Sequence, residues 1–189
     1  MRTTPLRRFT MLFLVAGFAG FAGLAAAAEG QKYDFSLKGS ADKAVAPATT
    51  TAFGGSIIVT TDGDWRTQWS AAKGAMPAFK EAGTITRGQK VSVLIFFRNA
   101  RPDAKGELNV TCDVRFVRPD GTAAVEHKGL ACYKGRIEGS PGNLRLAAQQ
   151  IDFVGDAKDP PGTWRVEVRL RDQVRVSEVP LLAVFTLRG

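Results

Sequence analysis

The chain has 189 residues, of which 44% are hydrophobic and 23% are charged, a balance typical of a globular protein rather than a disordered one. It has 26 basic and 18 acidic side chains, which gives a formal net charge of +8. The basic residues do not form the dense Lys/Arg clusters that contact a phosphate backbone, so the composition argues against a nucleic-acid-binding protein.

The first 28 residues have the pattern of a cleavable export signal. Three arginines near the N-terminus give a positively charged start, and an almost entirely apolar run extends from Met11 to Ala28. Ala26 and Ala28 have the A-x-A spacing that a signal peptidase accepts, which predicts cleavage after Ala28. The alternative is a retained membrane anchor, because the run approaches the roughly 20 residues that span a bilayer. Its Gly and Ala content and its cleavage site favour removal.

Cleavage predicts a periplasmic or secreted protein with no stable membrane span. The signal contains three basic residues and no acid, so the mature chain has 23 basic and 18 acidic residues and a charge of +5. This mild excess favours weak attraction to anionic surfaces such as polyanionic glycans. Cys112 and Cys132 predict a single disulfide in an oxidising compartment. A reactive thiol or metal pair is the weaker alternative, because a spacing of twenty residues matches no metal-ligand motif.

Residues 29–83 are predicted to be an N-terminal extension that packs on the main domain. Alternating apolar residues at 33–37 indicate an edge strand, and the stretch 39–51, which is rich in small residues, indicates a surface loop. A helix is predicted near residues 64–74, with Asp64 as its N-terminal cap and Gly74 as its end.

Trp65 and Trp69 fall four residues apart, on one face of this predicted helix. Together with Asp62 in the preceding loop they form a candidate ligand platform. The alternative is that both indoles close one end of the β core.

Residues 84–189 alternate short strands with turns and lack the helices that a parallel α/β architecture needs between strands. Seven to nine strands indicate an all-β, antiparallel β-sandwich. The strand at 91–97 is apolar on both faces, which predicts a central position. Cys112 points inward from the strand at 108–116. It lies opposite Cys132 on the return strand only if the connection spans about 119–125 or a bulge shifts the register.

The segment from about Thr84 to Leu187 resembles the immunoglobulin-like or fibronectin-like sandwiches of exported bacterial proteins. The resemblance rests on Thr86–Val91 (TRGQKV), Pro119–Gly121 (PDG) and, above all, Asp159–Val166 (DPPGTWRV). The last is similar to the D-P-x-G-x-(aromatic)-x-V entry to the penultimate strand of such domains, where an aromatic side chain enters the core. The resemblance implies an Ig-like Greek-key sandwich over 84–189 and says nothing of function, because these folds host many unrelated activities.

The disulfide spacing departs from the antibody pattern. In antibody domains the bridge joins the two sheets over a much longer separation. The twenty-residue spacing of Cys112 and Cys132 predicts a local bridge between neighbouring segments.

No catalytic, metal or cofactor site is predicted. The single histidine, His127, lies in a segment of mixed polarity, and no serine lies in a G-x-S-x-G context. A candidate surface for a negatively charged partner is the polar face of the penultimate strand and the bend after it, with Arg165, Arg169, Arg171 and Arg175. The alternative is a solvated face that guards against edge-to-edge aggregation.

Two functions remain open at this point. The first is an exported, non-enzymatic envelope protein that acts as a binding or accessory module for a protein or an anionic surface polymer. The second is a periplasmic small-ligand carrier or enzyme with a site near Trp65, Trp69 and Asp62.

Overall fold

The computed structural model describes residues 52–72 and 75–189, and the predicted signal, edge strand and loop before residue 52 lie outside this part. The described residues form nine strands and one helix. In chain order these are β1 (Gly54–Thr60), α1 (Trp65–Ala71), β2 (Thr84–Thr86), β3 (Lys90–Arg98), β4 (Glu107–Val117), β5 (Ala123–Arg136), β6 (Arg145–Leu146), β7 (Ile151–Val154), β8 (Gly162–Asp172) and β9 (Ser177–Arg188).

The strands form two sheets. One has five strands in the order β2-β9-β8-β4-β5, and the other has four, with β3 between β1 on one side and β6 and β7 on the other. All pairs are antiparallel except β2 with β9. The chain crosses between sheets after β1, β2, β3, β5 and β7. Because it returns to the five-stranded sheet after β7, β4 and β8 are neighbours although they are far apart in sequence. The predicted all-β sandwich is confirmed.

β3 is central in its sheet, as its two apolar faces predict. Its odd-numbered residues, such as Val93 and Phe97, belong to the main core between the sheets. Leu94 and Phe96 belong instead to a second apolar cluster, in which they pack with Trp65 and Phe79. A strand that is buried on both sides needs apolar residues at successive positions, which explains the uninterrupted run in the sequence.

The main core is filled from β4, β8 and β9 by side chains that alternate along each strand. Trp164 is fully buried, and its indole Nε1–H donates a hydrogen bond of 3.0 Å to the Pro160 carbonyl. Its ring packs with Phe153 and Phe185, at centroid distances of 5.0 and 6.4 Å. Trp164 thus enters the core at the start of the penultimate strand, and the Pro160 carbonyl satisfies its polar atom.

The predicted disulfide is confirmed and joins β4 to β5 within one sheet. The last pair of the hairpin is Val117 with Ala123, so the connection between the strands is short. Along the hairpin the register of β4 and β5 then shifts at three places. Leu130 is the direct partner of Cys112, yet the shifts bring the Cα atoms of Cys112 and Cys132 to 5.8 Å. Of the two predicted geometries, the bulge is therefore the one that applies.

The predicted helix is present as Trp65–Ala71, but the predicted cap at Asp64 is wrong in its chemistry. Asp64 precedes the helix and makes no side-chain cap hydrogen bond. Its carbonyl accepts bonds from Thr67 and Gln68, while its carboxylate accepts one of 2.9 Å from the Gln68 side chain. The carboxylate is therefore turned to a neighbouring side chain rather than to the free amides of the first turn. Gly74 lies outside the described residues.

β1 belongs to the four-stranded sheet although it lies within the predicted extension 29–83. It pairs with β3 from Gly54 opposite Arg98 to Thr60 opposite Ser92. Gly55 allows the two sheets to approach closely here, because a Cβ atom at this position would lie 2.7 Å from the Leu170 side chain. The described part of the extension is thus joined to the sandwich by backbone hydrogen bonds.

Candidate functional site

A concavity of about 540 Å³ lies between α1 and the chain that connects β6 to β7. Its floor is the part of β3 around Leu94, on the sheet face that packs against α1. The volume falls within the roughly 300–1,000 Å³ of typical ligand sites. The helix contributes two indoles together with Arg66 and Ser70, and we call this side the aromatic wall. The opposite side contributes the side chains of Gln149 and Gln150 among apolar residues, and we call it the polar wall. The lining residues are Trp65, Arg66, Trp69, Ser70, Ser92, Val93, Leu94, Leu146, Ala147, Ala148, Gln149, Gln150 and Ile151.

The concavity exists because β6 and β7 pair with β3 at two separate places. β6 pairs at Phe96 and Phe97, and β7 pairs from Lys90 to Val93. Between them the chain is drawn toward β5 of the other sheet. The Ala148 N–H donates a hydrogen bond of 2.7 Å to the Cys132 carbonyl, and the Gln149 side chain donates one of 2.9 Å to the Ala131 carbonyl. The sheet edge is therefore open opposite Leu94.

Helix α1 supplies the aromatic wall. Trp65 is 7% exposed and belongs to the second apolar cluster, whereas Trp69 is half-buried and its ring centroid lies 5.2 Å from that of Phe96. The guanidinium of Arg66 lies 4.3 Å from the ring centroid of Trp65 and donates a hydrogen bond to the Gln150 side-chain oxygen. Arg66 thus connects the helix wall to the polar wall.

A chain of hydrogen bonds holds the polar wall in place. Gln150 donates to Asp152 at 2.9 Å, and Asp152 also accepts from Ser92 at 2.7 Å and from Lys90 at 3.3 Å. Burial alone would raise the pKa of the Asp152 carboxyl, but the bonds from Ser92, Gln150 and Lys90 outweigh it and hold that pKa below its usual value. Asp152 is therefore an anion at neutral pH and fixes the orientation of the Gln150 amide.

A second concavity of about 410 Å³ adjoins the first at Trp69 and Leu146, which line both. The Tyr133 hydroxyl donates a hydrogen bond of 2.9 Å to the Arg136 carbonyl, and the Arg145 guanidinium donates to the carbonyls of Glu138, Ser140 and Asn143. We call the two concavities together the Trp69 cleft. The second is lined by Trp69, Tyr133, Arg136, Glu138, Leu144, Arg145 and Leu146.

The structure brings together two of the three residues of the predicted ligand platform. Trp65 and Trp69 both line the larger concavity, but Asp62 lines neither of the two. Its carboxylate accepts a hydrogen bond of 2.7 Å from the Lys80 backbone, and its own N–H donates to the Thr60 hydroxyl at 3.0 Å. Asp62 therefore ties the end of β1 to the chain that follows α1.

Three of the four candidate arginines lie on β8 and form ion pairs, and Arg175 lies apart from them. Arg165 lies 3.2 Å from Glu167, and Arg169 lies 3.0 Å from Glu178. Arg171 lies 2.8 Å from Glu178 and 2.7 Å from Asp113.

The hydrogen bond between Asp113 and Arg171 lowers the pKa of the carboxyl and raises the pKa of the guanidinium. Arg175 lies elsewhere, 3.7 Å from Asp172, and donates a hydrogen bond to the Asn99 carbonyl. The three arginines of β8 thus face carboxylates of the same sheet.

Four residues that line the cleft are not among the site residues predicted from the sequence, namely Arg66, Gln150, Tyr133 and Arg136. Arg66 carries a weak signal, because it directly follows Trp65 on an exposed helix. The other three are polar or aromatic residues on strands and loops with no distinguishing pattern, and only the crossing of the chain between sheets brings them to the same cleft.

No group of three or more His, Cys, Asp and Glu side chains in the described part of the chain could hold a metal ion. Within residues 52–72 and 75–189, no helix is long and apolar enough to cross a membrane. His127 lies on the exposed strand β5, opposite Val114.

No protein-family model and no curated protein matches the chain. Several solved structures are similar to part of it. A family 123 glycoside hydrolase from Clostridium perfringens is 12% identical with a TM-score of 0.42, and the match covers 73% of this chain but only 28% of the hydrolase. A Niemann-Pick type C2 protein from the Japanese carpenter ant is 12% identical with a TM-score of 0.40, and the match covers 72% and 91% of the two chains.

The PKD domain of an M14-like peptidase from a Thermoplasmatales archaeon is 13% identical with a TM-score of 0.35, and the match covers 57% of this chain and 88% of that domain. Similarities of this size assign no function. The chain is an all-β sandwich on the evidence of its own two sheets.

Proposed function

We propose that the protein is an exported, non-enzymatic binding module of the cell envelope and that its ligand lies in the Trp69 cleft. The observation that carries the proposal is the position of Trp69, which is half-buried on a helix and lines two adjoining concavities. An indole in such a place offers a large, rigid contact surface at low cost in side-chain entropy.

The walls of the cleft support binding because they are held before a ligand arrives. Arg66 is held by Trp65 and Gln150, and Gln150 is held in turn by Asp152. Side chains that are already ordered lose little conformational freedom on binding, so more of the contact energy contributes to affinity.

Export is supported by two independent features. The N-terminal residues have the pattern of a secretory signal. The disulfide between Cys112 and Cys132 is fully buried in the core, and such structural bridges form and persist mainly in oxidising compartments.

Binding is favoured over hydrolysis by the chemistry of the lining residues. Glu138 is the one carboxylate among the described residues that line the cleft. Cleavage of a glycoside by the common route requires two carboxyl groups on either side of the bond.

The test is retention of envelope fractions on the immobilised protein. We expect the wild type to retain a component of protease-treated envelope polymer and Trp69→Ala to retain at least tenfold less. A double variant, Arg165→Ser with Arg169→Ser, is the matched control on the opposite sheet and should retain as much as the wild type. Equal retention by Trp69→Ala, with an unchanged melting temperature, would reject the cleft as the binding surface.

A second candidate is a small-ligand carrier, which the volume of the larger concavity favours. Such a ligand would fill the concavity next to Arg66 without reaching Arg136. Replacement of Arg136 by Gln would then leave the affinity for the small ligand unchanged. A polymer that spans both concavities would bind this variant more weakly than the wild type.

A further inference from the structure

We infer that the ligand is a linear glycan that carries carboxylate groups, with one sugar ring on Trp69 and the adjoining units in the two concavities. This inference rests on the proposed function and specifies its ligand. It draws on three features of the cleft: the position of Trp69 between the two concavities, the backbone hydrogen bonds already made by Ala147 and Ala148, and the charge of the lining residues.

The position of Trp69 between the two concavities indicates a linear ligand. The two concavities share Trp69 and Leu146, so a molecule that leaves one and enters the other passes over the indole. Sugar rings have an apolar C–H face that packs on an aromatic ring, as other apolar groups do. The hydroxyl groups at the ring edge can reach the side-chain amides and guanidinium groups of the walls, which are planar and offer paired hydrogen-bonding atoms.

The backbone of this wall disfavours a peptide. An extended peptide that binds at a sheet edge forms its main hydrogen bonds with free backbone groups of that edge. Here the Ala147 N–H already donates to the Ile95 carbonyl at 2.8 Å, and the Ala148 N–H donates to the Cys132 carbonyl at 2.7 Å. The wall therefore offers the Gln150 side chain rather than these backbone N–H groups, and α1 on the other side of the concavity offers Arg66.

The charge of the lining residues indicates an anion. Arg66, Arg136 and Arg145 oppose Glu138, so three positive charges face one negative charge and the net is +2. The arginines of the β8 face are paired with carboxylates, whereas no carboxylate oxygen in residues 52–72 and 75–189 lies within 4.0 Å of the guanidinium nitrogens of Arg66 or Arg136. Asp103 interacts with the charge of Arg136 without forming such an ion pair. A guanidinium binds a carboxylate through two parallel N–H donors.

The test is calorimetric titration of the chain, produced from the full sequence so that the predicted export signal can be removed, against hexamers of three carboxylated glycans: galacturonate, mannuronate and hyaluronan. We expect at least one hexamer to bind, its dimer to bind at least fivefold more weakly, and a neutral methyl ester of the same hexamer to bind at least threefold more weakly. Trp69→Ala should weaken binding at least tenfold and Trp69→Phe much less, because a phenyl ring still stacks.

Charge variants separate the cleft from the rest of the surface. Arg66→Gln and Arg136→Gln should each weaken binding of the hexamer and reduce its dependence on salt concentration. Arg165→Gln with Arg169→Gln removes two positive charges from the opposite sheet and should leave the affinity within twofold of the wild type. Equal weakening by both sets of variants would show that net charge alone attracts the glycan, and it would overturn the inference.

Three further outcomes distinguish the inference from the proposed function. If hexaglutamate binds as tightly as every glycan, or if none of the three hexamers binds while retention of envelope polymer still depends on Trp69, the assigned ligand class is wrong and the binding module stands. If no retention depends on Trp69, the proposed function itself is wrong.

Discussion

Arg66 lies over Trp65, with its guanidinium carbon 4.3 Å from the ring centroid, and the same guanidinium donates a hydrogen bond to Gln150. One side chain thereby covers the buried indole and joins α1 to the connection between β6 and β7. A cation over the face of a Trp ring is attracted by the ring quadrupole, by about 0.5–1 kcal/mol at exposed sites. Helix α1 has seven residues and is too short to be stable by itself in water, so it depends on tertiary contacts. Burial of Trp65 is the main one, and the Arg66 contacts add to it.

The two tryptophans of α1 should differ in their contribution to stability. Trp65 is 7% exposed in the second apolar cluster, so we expect Trp65→Ala to lower the free energy of unfolding by about 3–5 kcal/mol. Trp69 is half-buried, and Trp69→Ala should cost less than half as much. Urea unfolding followed by circular dichroism measures both values. Equal losses would mean that Trp69 acts as a core residue and would weaken its assignment as a ligand platform.

Gly55 should be far more sensitive to substitution than its neighbour Gly54. A Cβ atom at Gly55 would lie 2.7 Å from the Leu170 side chain and 2.9 Å from the Phe96 carbonyl oxygen, whereas one at Gly54 would meet nothing within 4 Å. We expect Gly55→Ala to lower the free energy of unfolding by about 1–3 kcal/mol because the two sheets must separate locally. Gly54→Ala, the matched control in the same strand, should change it by less than about 0.5 kcal/mol. Similar effects at both positions would contradict the close approach of the sheets.

The disulfide should stabilise the fold by reducing the conformational entropy of the unfolded chain. In the chain-entropy model, a loop that closes over a sequence separation of 20 residues contributes about 3 kcal/mol. We therefore expect reduction to lower the urea midpoint of the wild type. Cys112→Ser with Cys132→Ser is the control, because a reductant should not change its midpoint. A wild-type midpoint that is insensitive to reductant would mean that the bridge is not formed.

Asp113 should make part of the stability depend on pH. Its hydrogen bond with Arg171 lowers the pKa of the carboxyl in the folded state, while the pKa in the unfolded chain is about 3.9. The contribution is therefore fully present above about pH 4 and is lost as the pH falls through the lower, folded-state pKa. We expect the free energy of unfolding of the wild type to fall as the pH drops from about 5 to 2, and that of Asp113→Asn to fall less.

The control for this series is Glu126→Gln, which removes an exposed carboxylate that lies 3.2 Å from Lys128. It should retain the pH dependence of the wild type. Because Asp113 is partly exposed to solvent, the loss for Asp113→Asn at pH 7 should be up to about 1 kcal/mol. An identical pH profile for Asp113→Asn and the wild type would contradict the ion pair with Arg171.

Local patterns in the sequence determine much of this fold. The alternation in β4 and β8 places Cys112, Phe116 and Trp164 in the core because successive side chains of a strand point to opposite faces. The double-sided apolar run of β3 predicts a central strand for the same reason. β1 is harder to predict from the sequence, because only Ile57, Ile58 and Val59 are bulky. The two glycines at its start have no side chains, so they give no alternating pattern.

The tertiary structure alone decided where the cleft lies and what lines it. The two cysteines come together because the register of β4 and β5 shifts at three places. The alternation of apolar and polar residues does not show where such a bulge occurs. Asp62 is adjacent to the helix in sequence but is bound by the Lys80 backbone, whereas Gln150 is far from Trp65 in sequence and lies beside Arg66. The alternation of side chains along a strand is a local property of the chain, and it determines which face of the sheet a residue occupies. The pairing of distant segments determines which residues share a site.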